Sequence, residues 1–520
     1  MENKKTQSQN VSMNSPWIFL PKFQNSNLFS KTALKEFRTG LLLWIVFLLF
    51  LGLVQFSSPD LPDNDGYYHI KLAYLMRTEG IKPEFPWLPL SILNQRDYSD
   101  HHFLFHIALI PFTFGDLRTG AKIAAVFFAS LAFLSTWYLL KNQRIAHAPL
   151  WALGLMAVSE AFIYRMSITR AQSLSLAVLM LGLDWLLRKK YKRLAVLGFV
   201  YVWMYDAFPL LGVFAMIIFA AQWTIERKPD LRLLLYPGIG IVIGLIINPY
   251  FPHNIIFAVQ HILPKLMETT TVRVGNEWYP YDTATLLRNS PLALAAFVSA
   301  GLALGLSGKR ADLPTIISFL IASFFGLMLL QSRRYIEYFA PFALVFAAFA
   351  WSPVMASQSV SGRFRLQKWL PALALSLVFI SGGWVSFRDA QESLRKAKPY
   401  QTFAGASAWL ATNTPAGARV FQTDWDDFPR LFFYNSKNTY LIGLDATYMQ
   451  LYDDELYKLW VKITQGDVEQ PGAIIASQFG AHYILTDLSH EDFLYQAAKD
   501  PKLVEMYRDE DAVVFSVVEK

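Results

Sequence analysis

The run Asp63-Asn64-Asp65-Gly66-Tyr67-Tyr68-His69 stands directly after the first long apolar stretch of the chain. Ionisable groups beside a bilayer are costly to place and mark functional sites more often than not. Two carboxylates at this spacing can bind a divalent cation, or one of them can act as general base toward an acceptor nucleophile. The plain alternative is a solvated acidic loop. Against it, Ser99-Asp100-His101-His102 falls in the same loop and adds further ligand-type side chains. Asp100-His101-His102 alone reads equally well as the cap of the helix that follows.

A second set of residues has the chemistry of anion binding. Arg165 and Arg170 stand where two apolar runs meet, and Arg333, Arg334 and Tyr335 stand at another such point. The guanidinium fork matches phosphate oxygens bidentately, which points to a phosphate-bearing substrate. The alternative is snorkelling toward lipid headgroups. Glu277 lies in Val274-Gly275-Asn276-Glu277-Trp278-Tyr279-Pro280, inside a loop of about 38 residues. Loops of that length are commonly functional or disordered, and the aromatic content here argues against disorder. Asp424-Trp425-Asp426-Asp427-Phe428 offers an acidic-aromatic surface just after a predicted strand. Taken alone, it is better read as a turn with a buried Trp.

Membrane helices must position these groups. The 520 residues are 54% hydrophobic and 15% aromatic, and the apolar runs are of spanning length. Spans are expected at residues 41–56, 120–140, 149–162, 171–187, 194–205, 209–223, 233–247, 286–306, 313–330, 335–351 and 370–387, about eleven in all. Residues 103–114 are too short to cross comfortably. If they did cross, the cluster Arg188-Lys189-Lys190-Tyr191-Lys192-Arg193 would lie outside, against the positive-inside rule. They are therefore expected to form a helix on the outer surface. Lys31, Lys35 and Arg38 precede the first span and put the N-terminus in the cytoplasm, with Asp63 outside. The same threading gathers residues 57–119, 164–170, 248–285, 331–335 and everything after Phe387 on the outer side. Nearly every polar residue singled out above falls in one of these regions.

Past Phe387 the chain changes character. From Arg388 to Lys520 there are 13 basic and 20 acidic residues, although the whole chain carries a net +7. The basic excess thus sits in short loops between spans and reflects topology rather than nucleic-acid binding. A helix is expected at 402–412, then a turn at Asn413-Thr414-Pro415-Ala416-Gly417, then strands at 419–423, 440–443, 482–486 and 512–518. This alternation predicts a small α/β domain. The chain divides into a polar cytoplasmic segment (1–38), a transmembrane domain (39–387) with a long first external loop (57–119), and an extracytoplasmic α/β domain (388–520). There is no cysteine, which excludes disulfides and thiolate metal sites. No P-loop, Rossmann glycine pattern, HExxH or GxSxG elbow is present at a supportable position.

The residues resemble the GT-C membrane glycosyltransferases, most closely the catalytic subunit of oligosaccharyltransferases of the bacterial single-subunit type. Asn64-Asp65-Gly66-Tyr67 is similar to that family's first-loop motif, whose aspartate binds the metal and the acceptor amide. The surface helix ending Ile110-Pro111-Phe112-Thr113-Phe114 is similar too. Val274 to Pro280 resembles the long fifth external loop, where a Glu before a Pro contacts acceptor and metal. Trp409-Leu410, Asn413-Thr414-Pro415 and Asp424-Trp425-Asp426-Asp427-Phe428 together resemble the approach to the WWDYG motif that reads the acceptor sequon. Arg333 or Arg334 falls where such enzymes keep an arginine for the lipid pyrophosphate. Two departures stand out. The second outer loop of the family carries a DxD or DxE pair, whereas residues 164–172 here contain no acid, and Glu160 is the nearest carboxylate. The WWDYG-like stretch lacks its first Trp and its final Tyr-Gly.

The expected fold class is a polytopic α-helical membrane protein of GT-C type with a C-terminal α/β domain. The expected function is transfer of a sugar or oligosaccharide from a polyprenyl-(pyro)phosphate carrier to an extracytoplasmic protein or glycan acceptor, at a cell (inner) membrane. Asp63, Asp65 and Glu277 are the catalytic candidates. Arg165, Arg170, Arg333, Arg334 and Tyr335 are the phosphate-binding candidates, and Trp425, Asp426 and Asp427 the acceptor-binding ones. A divalent cation, Mg or Mn, would be held by Asp65, Asp100, His101 and His102, with Arg165 and Arg170 partly replacing it. No nucleotide is required, because the lipid phosphate is the leaving group. One alternative is a transferase that uses a polyprenyl-phosphate monosaccharide to modify a glycan or lipid. Another is a transporter of lipid-linked glycans, disfavoured because transporters place their charges near the bilayer midplane.

Overall fold

The computed structural model describes residues 31–266, 275–308, 310–358 and 370–518. Most of the polar N-terminal segment, Val274 and the basic loop 363–368 lie outside the described residues. Six of the described helices are long and apolar enough to cross a membrane: Thr32–Gln55, Leu117–Asn142, Pro209–Glu226, Leu313–Gln331, Arg333–Ala356 and Leu370–Arg395. The pair Thr283–Asn289 and Pro291–Ser307 makes a seventh if it is one span. Shorter apolar helices occupy Phe103–Thr113, Gln172–Leu187 and Arg232–Ile246.

Local chemistry sets the starts and breaks. Asp116 caps Leu117–Asn142 by accepting from the Thr119 amide, and Asp312 does the same for Leu313–Gln331 through Thr315. Two expected spans are not continuous helices. Residues 149–162 break into Ala148–Leu153, the 3-10 turn Gly154–Met156 and Glu160–Met166. Ser159 adopts an extended backbone there and caps the third piece by accepting from the Phe162 amide. Residues 286–306 bend by 87° at Ser290, because Pro291 cannot donate to the preceding turn and starts a new helix instead. The Asp63–His69 stretch, expected as loop, turns helical at Asp65: Asp65–Glu79 is a 15-residue helix with an acid in its first turn.

The C-terminal sheet contains five strands: β1 (Arg419–Gln422), β2 (Thr439–Tyr440), β3 (Tyr483–Asp487), β4 (Leu503–Arg508) and β5 (Ala512–Val517), in the order β2-β1-β3-β5-β4. β1 runs parallel to β2 and β3, and β5 runs antiparallel to β3 and β4. Four strands fall where expected; β4 is additional. The period of two splits the strand residues between two cores. Phe421, Ile484, Val513 and Phe515 pack under Trp460, Ile475, Phe479 and Phe493. Val420, Leu485 and Val514 face the other way, onto Phe428, Leu431 and Phe432 and then onto Tyr68, Leu72, Phe85 and Trp87 from the stretch between the first two long apolar helices. The Trp87 carbonyl accepts from the Tyr440 amide at 2.8 Å, and the Trp87 indole donates to the Ser436 carbonyl at 2.8 Å. One apolar core thus joins the sheet to the helix that begins with Asp65.

Candidate active site

Asp63 starts the arrangement by folding back on its own backbone: its Oδ1 accepts from the Asp65 amide at 2.9 Å, which sets the first turn of Asp65–Glu79. Asn64, between them, is tied to the other end of the chain. Its Nδ2 donates to Asp426 Oδ2 at 2.8 Å, and its Oδ1 accepts from Arg430 Nε at 2.7 Å. Arg430 is buried, lies over the Tyr67 ring at 4.5 Å, and donates its remaining groups to the carbonyls of Pro399 and Lys398. The aspartates are therefore held from the sheet side by a fully occupied guanidinium.

Arg170 faces them from the turn after Glu160–Met166. Its Nη2 lies 3.0 Å from Asp63 Oδ1 and 2.6 Å from Asp65 Oδ2, and its Nη1 lies 2.9 Å from Glu277 Oε2. Arg165 Nη1 reaches the same Glu277 oxygen at 2.7 Å, and its Nε and Nη2 donate to Glu337 Oε2 at 3.1 and 2.8 Å. Arg334 approaches Glu277 Oε1 at 3.4 Å, bonds the Tyr205 hydroxyl and lies over the Trp278 ring. Glu277 sits in the 3-10 turn Asn276–Trp278, which Ser332 pins by donating to the Glu277 carbonyl. Three arginines and four carboxylates from four separate stretches thus share one network.

All of these groups except Glu337, which lies buried behind Arg165, line a cavity of about 970 Å³. Burial raises Asp65, Arg170 opposes the rise, and Asp63 and Glu277 reinforce it, leaving its carboxyl at about 7. Burial and the nearby charges of Asp63 and Asp65 also lift Asp426 to about 7. Burial alone would raise Glu277 as well, but Arg170, Arg334 and Arg165 outweigh it and hold that carboxyl well below the ordinary range. Asp65 Oδ2 is engaged by Arg170, whereas no hydrogen bond to Oδ1 is found among the described residues.

The remaining expected residues divide. Asp63, Asp65, Glu277, Arg165, Arg170, Arg333, Arg334, Trp425, Asp426, His101 and His102 all line the cavity. Arg333, though on its wall, donates to the carbonyls of Tyr279 and Pro280 and so fastens the Glu277 loop. Tyr335 packs against the apolar core and is not on the wall. Asp427 is buried, and among the described residues neither of its carboxylate oxygens is hydrogen-bonded. Asp100 turns away from Asp65: its Oδ2 bonds His106 Nδ1 at 2.7 Å, and His106 Nε2 bonds His69 Nδ1 at 2.8 Å. Its Oδ1 also accepts from the His102 amide at 2.9 Å, a turn that stops at the residue before Phe103–Leu109 and caps none of that helix's own amides.

Sequence reasoning missed Glu337, Arg430 and the partners of His69. Glu337 had a signal: it is a lone acid at the head of an apolar run, the kind of residue that membrane segments retain for function. Arg430 and His106 carried none, because each is a single polar residue among aromatics.

No protein-family model and no curated protein matches the chain. Solved structures do. The oligosaccharyltransferase AglB from Archaeoglobus fulgidus, in complex with an inhibitory peptide and a dolichol-phosphate, superposes with a TM-score of 0.62 at 13% identity, over 89% of this chain and 71% of that one. ArnT from Cupriavidus metallidurans bound to undecaprenyl phosphate gives 0.57 at 14%, over 92% and 98%. The arabinofuranosyltransferase AftD from Mycobacteria gives 0.56 at 13%, over 93% and 40%. The fold is that of the GT-C glycosyltransferases. At these identities the likeness is one of fold, and at that level it bears out the resemblance read from the loop motifs.

An oligosaccharyltransferase-like site on a GT-C fold implies a divalent cation among carboxylates. The residues here do not fit one. Asp63, Asp65 and Glu277 converge, but a guanidinium fills the point they share, and hard cations require several oxygen ligands around a common centre. Among the described residues, no group of three or more His, Cys, Asp or Glu side chains is arranged to hold a metal ion. In particular Asp65, Asp100, His101 and His102 do not form one cluster, because Asp65 faces Arg170 and Asp100 faces His106.

Proposed function

We propose that this chain is an integral-membrane glycosyltransferase. It takes a sugar or oligosaccharide from a polyprenyl-phosphate or pyrophosphate carrier and passes it to an extracytoplasmic acceptor. The observation that carries this reading is the cavity wall itself, where carboxylates suited to an acceptor and arginines suited to a phosphate meet among apolar helices. In this reading the chain crosses a cell (inner) membrane about eleven times. Residues 1–38 are cytoplasmic, residues 39–387 form the membrane domain, and residues 388–520 form an extracytoplasmic domain.

Asp65 takes up the acceptor's proton at Oδ1, and a carboxyl near 7 suits that task at neutral pH. Arg334, whose carboxylate contact is the longest of the network, turns toward the leaving phosphate and balances its growing charge. Arg165 and Arg170 hold Glu277 ionised, and Glu277 in turn fixes their position. A transfer assay with lipid-linked sugars, comparing the wild type with Asp65→Ala, tests the proposal. Loss of transfer in the variant is expected; full retention refutes the assignment.

The second reading, a polyprenyl-phosphate monosaccharide donor and a glycan or lipid acceptor, draws on the acidic-aromatic loop. Trp425 and Asp426 line the cavity, but Asp426 is engaged by Asn64 and Asp427 is buried, so neither of these two acids is free for a peptide. Paired assays separate the two: a lipid-linked oligosaccharide with an asparagine peptide against a lipid-phosphate monosaccharide with a hydroxyl acceptor.

A further inference from the structure

Three stretches far apart in sequence bring a carboxylate or a cation to one point: the head of Asp65–Glu79, the turn after Glu160–Met166, and the 3-10 turn Asn276–Trp278. The group at the centre is the Arg170 guanidinium, with Asp63 at 3.0 Å, Asp65 at 2.6 Å and Glu277 at 2.9 Å. We infer that Arg170 takes the place a divalent cation would hold between these three carboxylates, so that the site is gathered without a metal ion. This rests on the glycosyltransferase reading and sharpens it.

The argument is one of space and charge. A cation would need the same carboxylate oxygens at just over 2 Å, in the volume where the two Nη groups of Arg170 lie. Displacing Arg170 would strand a charge whose side chain is only 14% exposed, and buried charges demand a partner. Glu277 already faces Arg165 and Arg334 as well, so an incoming dication would meet two further positive groups. The guanidinium supplies what the carboxylates need, since it is planar, permanently charged and able to donate in two directions at once. Unlike a hydrated ion, it cannot be taken away by a chelator.

The test is Mn2+ binding to the purified full chain in detergent, followed by the loss of the free-ion EPR signal, alongside transfer assays with and without EDTA. The wild type is expected to bind no Mn2+ in an Asp65-dependent way and to transfer at equal rates with and without EDTA. Arg170→Ala is expected to gain one Mn2+ site, which the further change Asp65→Asn removes. The inference is overturned by a wild-type Mn2+ site that Asp65→Asn abolishes, or by EDTA stopping transfer and Mn2+ restoring it. It is equally overturned if Arg170→Ala, eluting as the wild type does, gains no site. Should Arg170→Ala fail to fold, the two wild-type measurements decide alone. Absence of transfer with every donor would refute the enzymatic reading and leave the Mn2+ result standing.

Discussion

Glu337 Oε2 accepts from both Nε and Nη2 of Arg165, at 3.1 and 2.8 Å, with the Glu337 side chain only 1% exposed. A paired charge this deep is stable only while both partners remain. Glu337→Ala leaves Arg165 with Glu277 alone, and breaking a buried pair from one side costs about 3–5 kcal/mol. The unfolding midpoint in detergent should fall accordingly. The double variant Arg165→Ala/Glu337→Ala should lose less than the sum of the two single changes. Additive losses would show that the pair is not coupled.

The pH dependence of transfer follows from Asp65. A carboxyl that must be ionised to accept a proton gives a rate that climbs with pH through its pKa and levels off above it. With Asp65 at about 7, kcat/KM should rise toward neutrality and flatten beyond it. Asp63 is one of the charges that raise Asp65, so Asp63→Asn should move the rising limb to lower pH. A limb that stays in place counts against Asp65 as the base.

Asp100 governs a chain of two histidines. Its Oδ2 is the acceptor that favours the His106 tautomer with hydrogen on Nδ1; His106 Nε2 then accepts from His69 Nδ1, and the His69 side chain, which lines the cavity, turns its Nε2 lone pair away from that bond. Asp100→Asn removes the charge that fixes this order in a site where both Asp100 and His106 are buried. A loss of about 1–3 kcal/mol in stability is expected, read from denaturant or thermal unfolding. An unchanged midpoint would mean that the relay is not held in this order.

Among the described residues Arg430 donates to no cavity-facing carboxylate. It holds Asn64, and Asn64 stands between the two aspartates. Arg430→Met should therefore lower kcat by about a hundredfold through misplacement, with the KM for the lipid donor changing far less. Arg430→Lys should not restore the rate, because one ammonium cannot serve Asn64 and two carbonyls in the same plane. Rescue by Lys would reduce the role of Arg430 to that of a charge.

Which parts of this could be read from residues alone follows from the range of the interactions. Four of the five strands and the helix at 402–412 carry their own periodicity and are found within a few residues of their expected places, and the apolar run at 41–56 is found as a helix that starts ten residues earlier, at Lys31. β4 escaped notice because Val504 and Met506 are exposed and blur its alternation. The bend at Ser290 was hidden because Pro291 also reads as an ordinary member of an apolar run. The candidate site residues were visible as types, but their partners were not. Arg165 was expected to face phosphate, and its partners Glu277 and Glu337 lie 112 and 172 residues away. Local pattern holds no information on such pairings, and only the folded chain brings them together.

The bond from Asn64 to Asp426 spans 362 residues, and that distance has a consequence in time. A chain made from its N-terminus completes the stretch with the first aspartates early, long before Asp426 and Arg430 have been synthesised. Until then the Asn64 side chain lacks the partners it has among the described residues, and the two acids flanking it lack their final posture. A ribosome that stops before Arg430 therefore releases a protein already threaded through the bilayer but unfinished at its working end. Competence arrives late in synthesis, with the closing of that single long-range stitch.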